Sequence, residues 1–307
     1  MIPYIARRLL FVTCGLLIVS FVIFVGIRVA PGDPADVMIL GVPTAEEKAA
    51  IHKRLGLDKP ILTQYGVFLR DLFLHGDLGE SYFSPDRISS LLLKRIPVSL
   101  QLVSISFFFT LLIGIPAGFA SAVFRNTPFD YAVVSTVYVL QALPNFWVAL
   151  LLIMFFAVRM SVLPAFGRGG IETFVLPSIS LALPIVGRVT RFVRSGLLRV
   201  MPELYIRTAY SKGLAPGTIY FKHAFRNALI PLVTDLSMQF VWTIGNAIVI
   251  EVIFGWAGVG RLTMTAIGAR DYPTVQGCVL FFAAMFMLVN LVVDLAYVLI
   301  DPRIEYK

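Results

Sequence analysis

The side chains able to do chemistry in this chain are few, and their spacing does not build an active site. The three histidines, His52, His75 and His223, all fall outside the apolar runs. A Ser/His hydrolase working inside a bilayer needs its base beside its nucleophile, so that chemistry finds no support. There is no G-x-x-x-x-G-K-S/T loop to cradle phosphates, and no H-E-x-x-H or Cys/His cluster with metal-ligand spacing. The two cysteines, Cys14 and Cys278, sit in apolar runs and read as small hydrophobes. Neither a cofactor, a metal nor a catalytic residue is expected. Three acids remain in or near the apolar runs: Asp235, Glu251 and Asp294. A charge in hydrocarbon is costly, so each is a functional candidate. Asn290, Asp294 and Tyr297 share one helical face, which also fits plain hydrogen bonding between helices. The acids lie near span ends rather than at mid-depth, where an ion-coupled carrier places them.

Composition explains why so little chemistry is on offer. The chain is 58% hydrophobic and 14% charged, against roughly 45–50% and 25% in soluble domains. It reads as an integral membrane protein with lipid around it. The net charge of +8 belongs to basic residues at span ends, next to anionic headgroups, and not to a nucleic-acid surface. Six windows of about 20 apolar residues predict six transmembrane helices, at 9–27, 99–124, 131–158, 173–193, 229–254 and 276–300. The first is too long for a signal-peptide core and no A-x-A site follows it, so it is expected to stay as an anchor.

Lys and Arg set the orientation. With the N-terminus inside, the inner side holds thirteen of them, counting Arg188 and Arg191 in the last turns of the fourth span, and the short outer loops hold five, Arg28, Arg159, Arg168, Arg261 and Arg270. Both termini are therefore expected in the cytoplasm. The predicted organisation is an anchor helix (1–28), an extracytoplasmic helical cap (29–98), a transmembrane core (99–300) with an inner loop at 195–228, and a cytoplasmic tail (301–307). In the cap, Thr44 with Glu47 predicts a helix start and Gly56 its stop; Pro60 and Gly76 frame a second helix.

Devices for packing and bending are frequent. Gly114, Gly118 and Ala122 recur every four residues, with Pro116 among them, and let helices approach closely. Pro144 in the third span, and Pro177 and Pro184 in the fourth, remove backbone donors and invite kinks. Gly187 adds freedom. Each reads singly as packing; together they suit a pore that opens and closes.

The most informative segment is the inner loop, 203–231, ELYIRTAYSKGLAPGTIYFKHAFRNALIP. It is too polar for lipid and too short for a domain. Pro202 and Gly213 frame one short helix, and Pro216 begins a second running toward Asn227. A basic amphipathic helix lying on headgroups is one reading; a docking element gripped by a soluble partner is the other.

Here the chain resembles a known family. YIRTAYSKGL at 205–214 and RNALIP at 226–231 look like the EAA loop of ABC importer permeases in the form found in the dipeptide, oligopeptide and nickel branch. Arg207 and Thr208 replace the first two residues of the generic Glu-Ala-Ala, as that branch does. APGDPAD at 30–36, LGLDKPILTQY at 55–65, GDLGESY at 76–82, RDYPTVQG at 270–277 and NLVVDLAYVLIDPR at 290–303 are similar to branch signatures in the same order. GWAGVGRL at 255–262 has Ala257 where the branch usually has Pro.

The resemblance implies an all-α, polytopic MetI-like ABC permease core with no enzymatic activity of its own. It implies a homologous second permease subunit, two cytoplasmic ATP-binding subunits that hydrolyse ATP, and an extracytoplasmic solute-binding protein, in a bacterial inner membrane. Tyr205, Arg207, Thr208, Ala209, Lys212, Gly213, Leu214 and Ala215 would contact the ATPase. Gly114, Gly118, Pro144, Pro184, Gly258, Gly260 and Asp294 are candidates for gating or packing. A short peptide is the implied solute; PNFW at 144–147 and LPAFGRGG at 163–170 keep nickel or its chelate open, and glutathione or opines remain alternatives. A channel or ion-coupled carrier, a membrane enzyme and a receptor scaffold are the rival classes.

Overall fold

A computed structural model describes residues 2–39, 44–167 and 169–300, with side chains for all of these except 2–6, 229–231, 233–234 and 293–300. Arg168, the side chains of Asp294 and Tyr297, and the tail 301–307 lie outside the described residues. The described structure is helical, without a named strand. Five helices are long and apolar enough to cross a membrane, or six when one bent pair is taken as a single span.

The chain divides into two compact units, residues 1–99 with 257–307, and residues 100–256. In the first unit, α1 (Ile2–Val29) packs against α13 (Tyr272–Ile300) and α4 (Ile61–His75), and α12 (Val259–Ala269) packs on α13. Local rules account for the small helices. Thr44 and Glu47 form a reciprocal capping box at the start of α3 (Ala45–Leu55), and Gly56 ends it at φ +68. Gly76 ends α4 at φ +64. A five-residue helix, α2 (Pro34–Met38), is capped by the Asp33 side chain. Ile88, Leu92, Val259 and Cys278 are buried together. Asp271 gathers Ser81 Oγ (2.5 Å), the Tyr82 amide (3.1 Å) and Thr274 Oγ1 (2.7 Å). Burial pushes the nearby Tyr82 phenol up to about 12.

The second unit is built on α8 (Glu172–Val200), which packs against α6 (Pro128–Ala142), α7 (Asn145–Leu152) and α11 (Arg226–Ile253). The remainder of α5 (Ile88–Val123) completes it. Gly114 and Gly118 bring α5 onto α8: a Cβ at Gly114 would meet Val189 at 3.0 Å, and one at Gly118 would meet Val193 Cβ at 2.8 Å and press on the Thr190 carbonyl. Thr190 Oγ1 donates to the Gly114 carbonyl at 3.2 Å.

The structure bears out a bend at Pro144, sharper than a kink, and corrects three other expectations about elements. The third span is not one continuous helix over 131–158. It breaks at Leu143–Pro144 into α6 and α7 with a 104° bend, and α7 continues as a π-helical stretch, Ile153–Arg159. Proline there has no N–H and disfavours helical backbone in the residue before it. By contrast, α8 runs unbroken through Pro177 and Pro184. Helix α5 starts eleven residues before the predicted span and takes up what reads as the end of the cap. Finally, the second helix of the inner loop does not stop near Asn227. From α10 (Pro216–Thr218) it passes through a π-helical turn, Ile219–Phe225, directly into α11.

Candidate functional site

The loop between α8 and α11 carries one isolated helix, α9 (Leu204–Ser211). Its two buried residues, Ile206 and Ala209, are three apart and mark one face. They enter a core with Ala122 of α5, Val193 and Leu197 of α8, and Ile219, Ala224 and Ala228 from the start of the α11 stem. Aromatic packing thickens the joint: Phe119 stacks on Phe221 with centroids 4.4 Å apart and meets Phe225 edge-on. Asn227 Nδ2 donates to the Tyr205 hydroxyl at 2.8 Å, tying α9 to the stem. A helix this short has little stability of its own in water; packing holds it in place.

The other face of α9 is open. Tyr205, Arg207, Thr208, Lys212, Gly213, Leu214 and Ala215 are exposed, whereas Ala209 is buried beneath them. The helix ends in a Schellman arrangement. The Leu214 amide donates to the Ala209 carbonyl and the Gly213 amide to the Tyr210 carbonyl, with Gly213 at φ +72 and open space around it. Tyr220, partly covered and hydrogen-bonded to Tyr210, has its phenol held above the ordinary range, mainly by burial.

Two charged clusters were not foreseen from the sequence. Asp130, in the first turn of α6, is gripped by Arg194 of α8 through Nε and Nη2 at 2.7 Å each. It also accepts from Ser121 Oγ at 2.5 Å and the Asn126 amide at 2.9 Å. Thr127 caps that helix by accepting from the Asp130 amide. The string TPFD at 127–130 carries the helix-start signal, but nothing local names Arg194 as the partner. The second cluster joins Arg188 of α8 to Asp235 of α11 at 3.1 Å. With its amide oxygen turned toward Arg188, Gln239 accepts from Nε at 2.8 Å.

The remaining sequence candidates scatter. Gly258 is the N-cap of α12 with extended backbone, and Gly260 is buried in its first turn. Pro144 marks the bend, and Pro184 lies within α8. Glu251 is fully buried.

Apolar helices of spanning length, one bent sharply, with a short polar helix fixed beside two of them, define a helical multi-pass membrane protein. The chain belongs to the binding-protein-dependent transport system inner membrane components: that family's model matches residues 114–306, and the model of its N-terminal region matches residues 1–103. It is an ABC importer permease. It is 36% identical to the glutathione transport system permease protein GsiC of Salmonella typhimurium over the whole of both chains. It is 38% identical, over 95% of each chain, to a provisionally named peptide transport system permease protein of Brucella suis. Among solved structures, it resembles in fold a chain of the inward-facing MetNI methionine ABC transporter, with TM-score 0.59 and 20% identity over 69% of this chain and 96% of that one. An amino acid ABC transporter matches with TM-score 0.54 and 18% identity, over 70% and 95%.

Proposed function

We propose that this permease forms half of a translocation path for short peptides, glutathione-like molecules among them, and that separate subunits power it. The names of the relatives, glutathione and peptide transport permeases, support that solute class. A homologous second permease subunit completes the path, two ATP-binding subunits hydrolyse ATP on the cytoplasmic side, and a solute-binding protein delivers cargo to the outward cap at 29–98. Even with Arg188 and Arg191 left out as part of a span, the eleven-to-five bias of Lys and Arg supports both termini lying in the cytoplasm.

The observation that carries the reading is the two-sidedness of α9. Ile206 and Ala209 are packed into the core that α8 and α11 share, while Arg207, Thr208 and Lys212 are presented outward. A force on the outer face passes into both spans, because the joint is close-packed and close-packed interiors transmit strain. ATP-driven closure of the ATPases moves α9, and α8 and α11 move with it, alternating the path between outward and inward access. Gly114 and Gly118 are where α5 packs on α8, Pro144 marks the bend between α6 and α7, and Pro184 lies within α8.

Gly213→Asp tests the reading. An added Cβ meets no atom within 4 Å, and aspartate tolerates left-handed backbone better than most residues. The protein is expected at wild-type level in the membrane with uptake reduced to background. Wild-type uptake by this variant contradicts the proposal.

A further inference from the structure

We infer that Arg188, held by Asp235 and the buried Gln239, lines the water-filled path together with Trp242 and Asn246 of α11, and that Arg188 receives the carboxylate of the passing solute. The inference rests on the proposed function above and names the part of the chain that touches cargo.

Position is the first argument. Asp235 begins a stretch that qualifies as a membrane span, Asp235–Ile253, and Arg188 lies within another, Glu172–Val200. At 1.5 Å per residue, Arg188 is about 24 Å along α8 from Glu172 and about 18 Å from Val200. Its side chain is 51% exposed. Its guanidinium meets Asp235 of α11 at 3.1 Å. An exposed guanidinium within a span is costly against hydrocarbon, and such a group belongs on an aqueous cavity or a protein interior.

The polar surface is also continuous. On α8, Arg188, Arg191, Ser195 and Arg199 are all exposed and recur at intervals of three, four and four, a single stripe leading to the α9 joint. On α11, Asp235, Gln239, Trp242 and Asn246 are spaced by four, three and four; Gln239 is buried and Asp235 mostly covered against Arg188, while Trp242 and Asn246 are open. Asn246 is exposed in the middle of that span, and Trp242 is 64% exposed. A lipid-facing surface carries no such row of amides and cations.

The third argument compares the two carboxylates. Asp130 has both oxygens satisfied by Arg194, Ser121 and the Asn126 amide, as a structural clamp requires. Asp235 meets Arg188 through Oδ1 alone, and its buried Oδ2 has no hydrogen-bond partner. Buried carboxylate oxygens are ordinarily paired. Asp235 meets Arg188 through one oxygen and the Gln239 amide oxygen accepts from its Nε, while half of the arginine side chain stays exposed. A planar guanidinium matches a carboxylate with two parallel hydrogen bonds, and every unmodified peptide brings one at its C-terminus. The arginines farther along the stripe extend the same attraction toward the α9 end.

The test uses the complete importer in proteoliposomes, with Cys14→Ser and Cys278→Ser as background. One cysteine is added at a time: Arg188→Cys, Asn246→Cys or, on the exposed apolar face of α5, Leu112→Cys. The probe is a charged, water-soluble methanethiosulfonate. Reaction at positions 188 and 246 is expected to be at least tenfold faster than at 112. Uptake of a dipeptide by Arg188→Gln is expected to show a KM at least fivefold higher, with Arg188→Lys in between. Labelling at 188 and 246 no faster than at 112 overturns the aqueous face. An unchanged KM in Arg188→Gln overturns the carboxylate role. Either result with Gly213→Asp still inactive leaves the coupling proposal standing, whereas active Gly213→Asp sinks that proposal independently.

Discussion

Arg194 and Asp130 are joined by two 2.7 Å hydrogen bonds across 64 residues of sequence, and they fasten α8 to the turn that begins α6. The Asp130 side chain is 2% exposed. Removing one partner from such a pair strands a buried charge and costs on the order of 3–5 kcal/mol. Arg194→Leu alone is expected to lower the Tm of the detergent-solubilised protein strongly. Asp130→Leu with Arg194→Leu together should restore part of that loss, because the double variant leaves no orphaned charge. A double variant less stable than both single ones contradicts the pairing.

The approach of α5 to α8 depends on the missing side chain of Gly118. An added methyl group would press on the Thr190 carbonyl, a backbone atom that cannot rotate away. Gly118→Ala should therefore destabilise by about 1–3 kcal/mol, the usual range for overpacking. Gly245→Ala, where the new Cβ meets nothing within 4 Å, should be neutral or gain up to about 1 kcal/mol from helix propensity. Thermal unfolding of the two variants side by side checks the contrast.

Ile206 is the buried anchor of α9, fully inaccessible in its core. Ile206→Ala should loosen the lever by about 2–5 kcal/mol of local packing without touching the outward face. The expected result is an assembled complex that hydrolyses ATP but couples it poorly, so uptake per ATP falls several-fold. Equal uptake per ATP in variant and wild type would show that α9 does not carry the force.

In the cap, both oxygens of Asp33 lie within 2.9 Å of His52 Nε2. Burial pushes the Asp33 carboxyl up, but hydrogen bonds from His52 and the Ala35 amide, with charge attraction from His52 and Lys48, outweigh it and hold the group below the ordinary carboxylate range. A lowered carboxylate pKa contributes stability that is present above the unfolded value, about 4, and is lost as pH falls through the folded value. Hydrogen exchange in α2 and α3 should therefore accelerate below about pH 4, and Asp33→Asn should remove that acid-dependent step.

Features set by local chemistry are legible in the sequence. Apolar length announces the spans. Thr44, Gly56, Gly76 and Gly213 mark helix ends because capping and left-handed backbone depend on the residue itself. The loop motif at 205–214 points to the family. Features that depend on tertiary partners stay hidden. Pro144 bends its span by 104° while Pro177 and Pro184 leave α8 unbroken, and residue type alone cannot separate these cases, because neighbouring helices decide whether the freed carbonyls are satisfied. The links Asp130–Arg194 and Arg188–Asp235 pair residues 64 and 47 positions apart, beyond any periodicity. The stretch from Pro216 toward Asn227 reads as a separate helix but runs through a π-helical turn, Ile219–Phe225, into α11, and Ile219 and Ala224 share the core under α9.

The central claim is that the open face of α9 is gripped by an ATP-binding subunit. A photo-activatable side chain at Thr208, in membranes containing the whole importer, tests it most directly, with the same group at Arg70 of α4, proposed to face the opposite side, as the comparison. The account predicts an adduct with the ATP-binding subunit from position 208 and none from position 70. An adduct from position 70, or none from position 208 in an importer that still transports, would contradict it.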